Sequence, residues 1–493
     1  MTWFTTLLDR ITMYRLLLYY LIVLLGVAAL LSLFGVLHFS AIDIIFSSLF
    51  ITAICLISNK IFAYAFDAPT NVESVYITAL ILALIITPTT KTQAIVFLAA
   101  ASGLAIASKF MLAIHHKHIF NPAAIAVVLT GLGAGDTASW WIGTPWMAPF
   151  VLIGGLLVVY KTERWRMVLM FMAIALVGTA VLAGLSQSDI TATLSREILS
   201  SPLLFTAFVM LTEPLTSPTT RSKQGWYGTL VGALFPPQIN FWGVFITPEI
   251  SLVMGNIFTY SVGPRVRQQL MLTRRVRLSA DTFDFVFEPK HSFTFIPGQY
   301  MEFTLQHPHT DSRGARRYFT IASSPTEKEL RLGIKFYEQS SSFKQTLLNM
   351  PLGSQTIAAQ VGGDFSLPKD PQQKIAFIAG GIGVTPYRSM LKYLLDTKET
   401  RSITMLYAAK TAQDIVYQDV LGAAQTQLGL RLHYAINGQK VDADFIRAQI
   451  PDFYERLFYI SGPHSLVVAV ERALRKLGVR HSSIKKDFFS GYA

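Results

Sequence analysis

The chain has 493 residues, of which 52% are hydrophobic and only 15% charged. A soluble domain carries about 25% charged residues, so a wholly soluble protein is excluded. Its basic residues, which give a net charge of +12, sit in short clusters between apolar runs; that is how a membrane protein marks its cytosolic loops, and no nucleic-acid-binding motif accompanies them. The single cysteine, Cys55, excludes a disulfide framework and an all-protein iron–sulfur cluster, so electron transfer here would rest on organic cofactors or a partner's metals.

Nearly all long apolar runs precede residue 262. A bilayer core takes about 20 apolar residues as a helix. The runs predict about ten spans at 14–37, 41–58, 74–88, 93–114, 119–133, 146–160, 166–186, 200–212, 226–238 and 249–263. The first run, Leu17–Leu37, lacks a small-residue cleavage site and reads as a retained helix. Several runs are short, which points to broken helices around a midplane site. An even count puts Lys60, His115–His118, Lys161–Arg166, Arg221–Lys223 and Arg265/Arg267 on one, cytosolic side. The opposite loops (Gly133–Pro145, Ser186–Ser195 and Gln238–Thr247) lack basic residues, with Lys91 and Arg196 the exceptions on that side. Trp140, Trp141 and Trp146 read as an interfacial aromatic belt. Both termini are therefore expected in the cytosol, with the chain in the plasma (inner) membrane. The Thr/Pro loops that close the runs at 78–90 and 208–220 hint at two repeats.

Two strings at helix ends stand out: His118-Ile119-Phe120-Asn121-Pro122-Ala123-Ala124 and Thr212-Glu213-Pro214-Leu215-Thr216-Ser217-Pro218. Proline there frees polar backbone, which a membrane tolerates only beside a cavity or buried in protein. Asp43, Asp67, Asp136, Glu213 and Glu249 are the acidic residues near these spans, though Glu249 after Pro248 also suits a helix dipole. The His115–His118 run fits a basic loop better than a metal site, and no metal site is expected.

From about residue 271 the period changes to short strands. Arg277–Glu288 and Gln299–Gln306 alternate as antiparallel strands, with a turn at Pro297-Gly298. Arg316-Arg317-Tyr318-Phe319-Thr320 follows, and its alternation can offer a flavin a cation, an aromatic neighbour and a hydroxyl near N5. Ser340-Ser341-Ser342-Phe343 can hold phosphate, and Gly362-Gly363-Asp364-Phe365 comes next. After Pro371 a strand at Lys374–Ala379, a loop at Gly380–Thr385 and a helix from Pro386 form a nucleotide-binding βα unit. Ser461-Gly462-Pro463 lies between a strand at Leu457–Ile460 and a helix at Leu466–Leu477.

On these motifs residues 271–493 resemble the ferredoxin–NAD(P)+ reductase superfamily. The resemblance implies an FAD-binding antiparallel β-barrel (271–370) and an α/β NAD(P)-binding domain (371–493). It assigns FAD to Arg317, Tyr318, Phe319, Thr320, Ser341 and Ser342, with Phe319 stacked on the ring and Thr320 facing N5. It assigns NAD(P)H to Gly380, Gly381, Gly383, Thr385, Pro386, Gly462 and Pro463. Thr320 and Ser461 take the catalytic places, Ser461 standing where the family has cysteine. Asp487-Phe488-Phe489 matches the family's C-terminal acidic-x-aromatic pattern loosely, and Tyr492 is either a flavin-stacking group or a solvent-exposed end. For NADH against NADPH, Lys410, Asp414 and Tyr417 point both ways.

The membrane half (1–265), with its two strings, Pro248-Glu249 and Gly255-Asn256, resembles the RnfD component of the Rnf complex and the NqrB component of the sodium-pumping NADH:quinone reductase. That implies a two-repeat helical domain holding flavin, as FMN or riboflavin. Thr144 in Trp141-Ile142-Gly143-Thr144-Pro145 is the candidate for covalent attachment, and Asn121, Thr212 and Thr216 are candidates for a bound flavin. The function expected is NAD(P)H dehydrogenation, with electrons passing through FAD and a membrane flavin to a quinone or an extracytosolic acceptor protein. Two other readings stand beside it: a transporter or channel regulated by a reductase, and a haem-containing ferric reductase or oxidase, for which paired buried histidines are lacking in the spans.

Overall fold

The computed structural model describes residues 11–66, 72–114, 117–241, 243–263, 268–308, 310–311 and 314–487. Asp67, His115, His116, Arg265, Arg267, Phe488, Phe489 and Tyr492 lie outside the described residues. The described residues divide into two compact units, one within Ile11–Val266 and one within Arg267–Ala493.

In the first unit every predicted apolar run contains a helix. In chain order these are α1 (Met13–Leu33), α2 (Ala41–Ala65), α3 (Val72–Ile85), α4 (Thr92–Met111), α5 (Pro122–Ala134), α6 (Ala148–Thr162) and α7 (Trp165–Leu185), then α8 (Ile190–Leu199), α9 (Leu203–Phe205), α10 (Arg221–Leu234) and α11 (Pro248–Val262). Side chains set where they begin: Thr12, Ser40, Asn121 and Thr247 each accept a hydrogen bond from a first-turn amide, and Pro122 and Pro248 supply the preset φ of a first helical position. Among the described residues four helices, α1, α2, α4 and α7, are long and apolar enough to cross a membrane. With 14 residues α3 rises only about 21 Å, short of a hydrocarbon core. The predicted span 200–212 is α9 running into a single π-turn, Thr206–Met210. The amphipathic helix α8, capped by Asp189, occupies the predicted loop at 186–195.

The helices pack through small residues. A Cβ on Gly228 or Gly232 of α10 would lie 2.3 Å from the Met167 carbonyl oxygen or 2.6 Å from that of Phe171, so α10 and α7 touch backbone to backbone. One sequence expectation is corrected here. Trp140 and Trp141 are buried, their indole N–H groups donating to Glu249 (2.7 Å) and the Ala83 carbonyl (2.9 Å), which leaves only Trp146 exposed as a belt residue would be. Arg164, within the basic run 161–166, is also buried and donates to Ser217. In both cases a buried polar partner outweighs the surface preference of the residue type.

The second unit opens with strands β1 (Gln268–Arg277), β2 (Thr282–Pro289), β3 (Tyr300–Thr304), β4 (Arg316–Thr320), β5 (Leu330–Lys335) and β6 (Gln355–Gly362), with helix α12 (Ser342–Asn349) before β6. They form a six-stranded antiparallel sheet in the order β4-β3-β6-β1-β2-β5. Beyond β4 the Ala322 amide donates to the Arg331 carbonyl (2.9 Å), which joins the two edge strands and curls the sheet towards the expected barrel. The strand predicted at Arg277–Glu288 is interrupted by a turn, closed by the Leu278 amide donating to Thr282 (2.8 Å), so β2 starts at Thr282. The turn at Pro297-Gly298 is present, with Gly298 at φ +91°.

A parallel sheet follows: β7 (Ile375–Gly380), β8 (Ile403–Ala408), β9 (Arg431–Ala435), β10 (Leu457–Ser461) and β11 (Ile484–Asp487), in the order β9-β8-β7-β10-β11. Helices α13 (Thr385–Thr397), α14 (Gln418–Leu428), α15 (Ala443–Gln449) and α16 (His464–Lys476) connect its strands. All six residues of β7 are buried, as a central strand covered on both faces requires.

Candidate functional site

The chain order of the parallel sheet dictates where a dinucleotide belongs. From β7 the chain steps outward through β8 to β9, then returns to the other side of β7 for β10 and β11. The switch point therefore lies beyond the carboxyl ends of β7 and β10, where such sheets bind ligands. Two glycine loops meet there. A Cβ on Gly383 would lie 2.5 Å from Gly462 Cα and from the Ser461 carbonyl oxygen, and one on Gly380 would lie 2.3 Å from Leu466. Gly381 stands at φ +53° in the turn that leads into α13. The backbones of Gly380–Gly383 and Ser461–Pro463 thus pack closely at the switch point, an arrangement that glycine permits and that fits a pyrophosphate approaching the start of α13. Thr385 and Pro386 open that helix.

On the antiparallel sheet, alternation along β4 separates two faces. Arg317 and Phe319 share one: the buried Arg317 guanidinium lies 5.3 Å from the Phe343 ring, and Phe319 packs between Phe303 (5.8 Å) and Phe343 (5.9 Å). Phe343 belongs to α12, whose cap, Ser341, accepts from the Lys344 amide. The Ser342 hydroxyl is 2.8 Å from His307 Nε2 and accepts from the Asp311 amide (3.0 Å). A buried guanidinium beside a capped helix start is a fitting place for the FAD pyrophosphate. Tyr318 projects from the other face, edge-on to Tyr300 at 5.5 Å.

Thr320, also on that second face, is brought to the nucleotide crevice. Its Oγ1 donates to Asp487 Oδ2 (3.4 Å), and Asp487 on β11 stands in register with Ser461 on β10. The two residues expected to be catalytic, 141 positions apart in the chain, are thus brought together: Thr320 reaches the Asp487 carboxylate, and Ser461 lies beside Asp487 on the neighbouring strand. Of the three residues considered for cofactor choice, Lys410 is exposed, Asp414 accepts from the Thr411 amide and hydroxyl, and Tyr417 is buried. The Tyr417 hydroxyl donates to Asp284 (3.1 Å), which places this candidate at the junction of the two sheets.

In the first unit the two strings meet in a polar node. Asn121 donates through Nδ2 to Glu213 (2.8 Å) and through its amide to Asn256 Oδ1 (2.7 Å). Thr216 donates to Glu213 (2.9 Å), and Asn256 Nδ2 donates to the Thr216 carbonyl and to the Tyr227 hydroxyl, both at 3.2 Å. Thr212 spends its hydroxyl on the Phe208 carbonyl of the π-turn (2.8 Å). A cavity of about 30 Å³ lies against Asn121, Glu213, Ser74 and Thr78, enough for one or two waters. Thr144 is not part of this node: its hydroxyl oxygen is buried with no hydrogen-bond partner among the described residues, and a Cβ on the neighbouring Gly143 would lie 2.5 Å from the Ser201 carbonyl oxygen.

Residues 134–259 match the NQR2, RnfD, RnfE family, and residues 377–471 match the oxidoreductase NAD-binding domain. The chain joins an Rnf/Nqr-like membrane region to an FAD- and NAD(P)-binding reductase module. It is 26% identical over 42% of its length to the glycine betaine monooxygenase reductase subunit of Chromohalobacter salexigens, covering 60% of that protein. It is 24% identical over 46% of its length to flavohemoprotein A of Dictyostelium discoideum, covering 61% of that protein. The chain thus spans about 60% of the length of these curated relatives. A solved FAD/NAD-binding domain of nitric oxide dioxygenase from Vibrio cholerae is 20% identical, with a TM-score of 0.40, over 45% of this chain and 97% of its own.

Within the reductase module, sequence reasoning missed a group of charged side chains between the two sheets. Arg388 of α13 donates to the Ala322 carbonyl (3.0 Å) and, through both terminal nitrogens, to Glu327. Arg331 donates to Asp284 (2.9 Å), which also receives the Tyr417 hydroxyl. Burial alone would raise the Glu327 carboxyl, but the Arg388 guanidinium holds it below the ordinary range; at Asp284 burial prevails over Arg331 and the carboxyl is lifted. No local pattern announces these residues. Only the Arg388-Ser389 pair, on the first turn after the nucleotide loop, offers a clue.

Proposed function

We propose that the protein is a membrane-bound NAD(P)H dehydrogenase that passes electrons from cytosolic NAD(P)H through FAD into its membrane unit, and on to a quinone or an extracytosolic acceptor. The observation that carries this reading is the bond from Thr320, at the end of β4, to Asp487, the strand neighbour of Ser461, which supports a flavin strand facing the nucleotide loops. FAD supplies the chemistry of accepting a hydride and releasing its electrons singly. The protein's part is to hold the pyrophosphates with Arg317, the α12 start and the glycine loops, and to orient both reacting rings at the Thr320–Ser461 junction. Fusion in one chain gives reductase and membrane unit a high effective concentration for each other.

Element order supports a two-repeat membrane unit. In each half a short helix (α3 or α9), a Pro-containing loop, a second helix (α4 or α10) and a two-residue antiparallel ladder (113–114 with 117–118, or 240–241 with 244–245) precede a Pro-initiated helix (α5 or α11). With α1 and α2 matched by α6 and α7, and the amphipathic α8 set aside, each half has five helices, which this reading takes as ten spans of inverted topology with both termini cytosolic. A second flavin, FMN or riboflavin, is the carrier this reading expects in the membrane unit, at Thr144 or beside Asn121, Thr212 and Thr216.

The test is to purify the full chain, extract its cofactors and weigh the protein. FAD in the extract, together with a second flavin either free or as added mass on Thr144, is the expected result. In vesicles, NADH or NADPH should then reduce a quinone. A protein that carries no flavin, or that neither nucleotide reduces, would sink the reading.

A further inference from the structure

Two sheets carry the two halves of the expected site, so something must fix the gap between them. The flavin strand continues past Thr320 into Ile321-Ala322-Ser323, and the nucleotide loop continues into the first turn of α13, where Arg388 and Ser389 lie. These two short extensions are bonded directly to each other. Besides the Arg388 bonds, the Ser389 hydroxyl donates to the Ser323 carbonyl (2.6 Å), and both serines are fully buried. On the flank, Tyr417 at φ +58° holds a backbone conformation costly for a bulky residue, with its hydroxyl on Asp284 and its ring 5.7 Å from the Arg388 guanidinium. Asp284 stands opposite Gly333 in the β2–β5 register. A Cβ on Gly333 would lie 2.4 Å from the Tyr417 hydroxyl, 2.8 Å from the Thr385 methyl and 3.0 Å from Ile382, so β5 touches the nucleotide loop itself.

We propose that Arg388 is a positioning residue for hydride transfer: its two-pronged hold on Ala322 and Glu327, with Gly333 as the contact it tightens, sets the spacing between the flavin strand and the nucleotide loop. This rests on the reading above, that NAD(P)H reduces FAD in this module. A planar guanidinium can hold a carbonyl and a carboxylate in one fixed geometry, and a lysine ammonium cannot. Hydride transfer depends steeply on that geometry, since misplacement by about 1 Å costs on the order of a hundredfold in rate. Arg388 and Gly333 both border Tyr417 at this junction, so the gap can be altered at two positions.

The experiment uses the full chain in detergent and the variants Arg388→Lys and Gly333→Ala, with Arg456→Lys as a control. Arg456 is another buried arginine; it holds Asp452 and the Ile375 carbonyl inside the α/β domain, away from the junction. FAD content, nucleotide dissociation constant, the rate of flavin reduction in anaerobic stopped flow and the long-wavelength nicotinamide–flavin charge-transfer absorbance are measured for each. For Arg388→Lys and Gly333→Ala, FAD content and nucleotide affinity should stay within about twofold while reduction slows by about tenfold to a hundredfold and the charge-transfer absorbance is lost. Arg456→Lys should lower the melting temperature and leave the rate per bound FAD and the absorbance unchanged. The proposal is overturned if both junction variants keep the wild-type rate and absorbance, or lose them only in proportion to lost FAD. A wild-type protein that neither nucleotide reduces would instead refute the reading beneath it, before any variant is made.

Discussion

The two units bury polar groups in different ways. In the reductase unit the residues that matter sit at strand ends, where loops leave a sheet: Thr320 ends β4, Ser461 ends β10 and the Gly380–Gly383 turn follows β7. Their backbone is satisfied by the sheets, and the loops are free to be shaped for a ligand. In the membrane unit the corresponding residues sit where helices break, and Asn121, Glu213, Thr216 and Asn256 satisfy one another in a closed node. Helix breaks in a membrane must first answer their own unpaired groups. The reductase loops therefore present glycine backbone at a strand-end switch point, whereas the polar groups at the helix breaks of the membrane unit are bonded to one another.

Substitutions can sharpen that contrast, and the largest effect is expected at the nucleotide loop. Gly383→Ala puts a Cβ 2.5 Å from the backbone of Ser461-Gly462 and should lower kcat/KM for NAD(P)H by on the order of a hundredfold, with the helical content seen by circular dichroism unchanged. Arg317→Ala should weaken FAD retention about thirtyfold, roughly 2 kcal/mol for its charge-assisted contacts, read by fluorescence of released flavin. Thr320→Ala should slow flavin reduction about tenfold without loss of FAD, since the hydroxyl orients rather than anchors. If any of these instead melts the helical unit, the separation of roles is wrong.

The membrane unit should respond in stability. Asn256→Ala removes the donor to Thr216 and Tyr227 and the acceptor for the Asn121 amide, so it should cost about 1–3 kcal/mol, seen as a lower melting temperature with FAD reduction by NAD(P)H intact. The smallest effect is one of pH. The Glu327 carboxyl is held below its ordinary range in the folded state, so the stability it contributes is present above about pH 4.3 and is lost as pH falls through the folded value. Glu327→Gln should lower stability at pH 7 and flatten that acid limb of the unfolding curve.

What the sequence reveals follows the same division. The Gly380–Pro386 loop is legible because its chemistry needs a particular backbone, and few residues other than glycine provide it. The Arg317-x-Phe319-Thr320 strand is legible because alternation fixes which side chains share a face. The Arg388–Glu327 and Tyr417–Asp284 pairs are not, because they join residues 61 and 133 positions apart that have ordinary neighbours. Trp140 and Trp141 mislead for a related reason. Indole groups suit a membrane interface or a buried hydrogen bond equally well, and only the tertiary partner decides between them.

The most direct test of the central claim is an anaerobic titration of the purified full chain with NADH or NADPH, following flavin absorbance and counting electrons taken up per FAD. The account predicts bleaching of FAD followed by uptake beyond one FAD equivalent, with the excess lost in Arg317→Ala. Uptake that stops at one FAD equivalent, or no bleaching with either nucleotide, would contradict it.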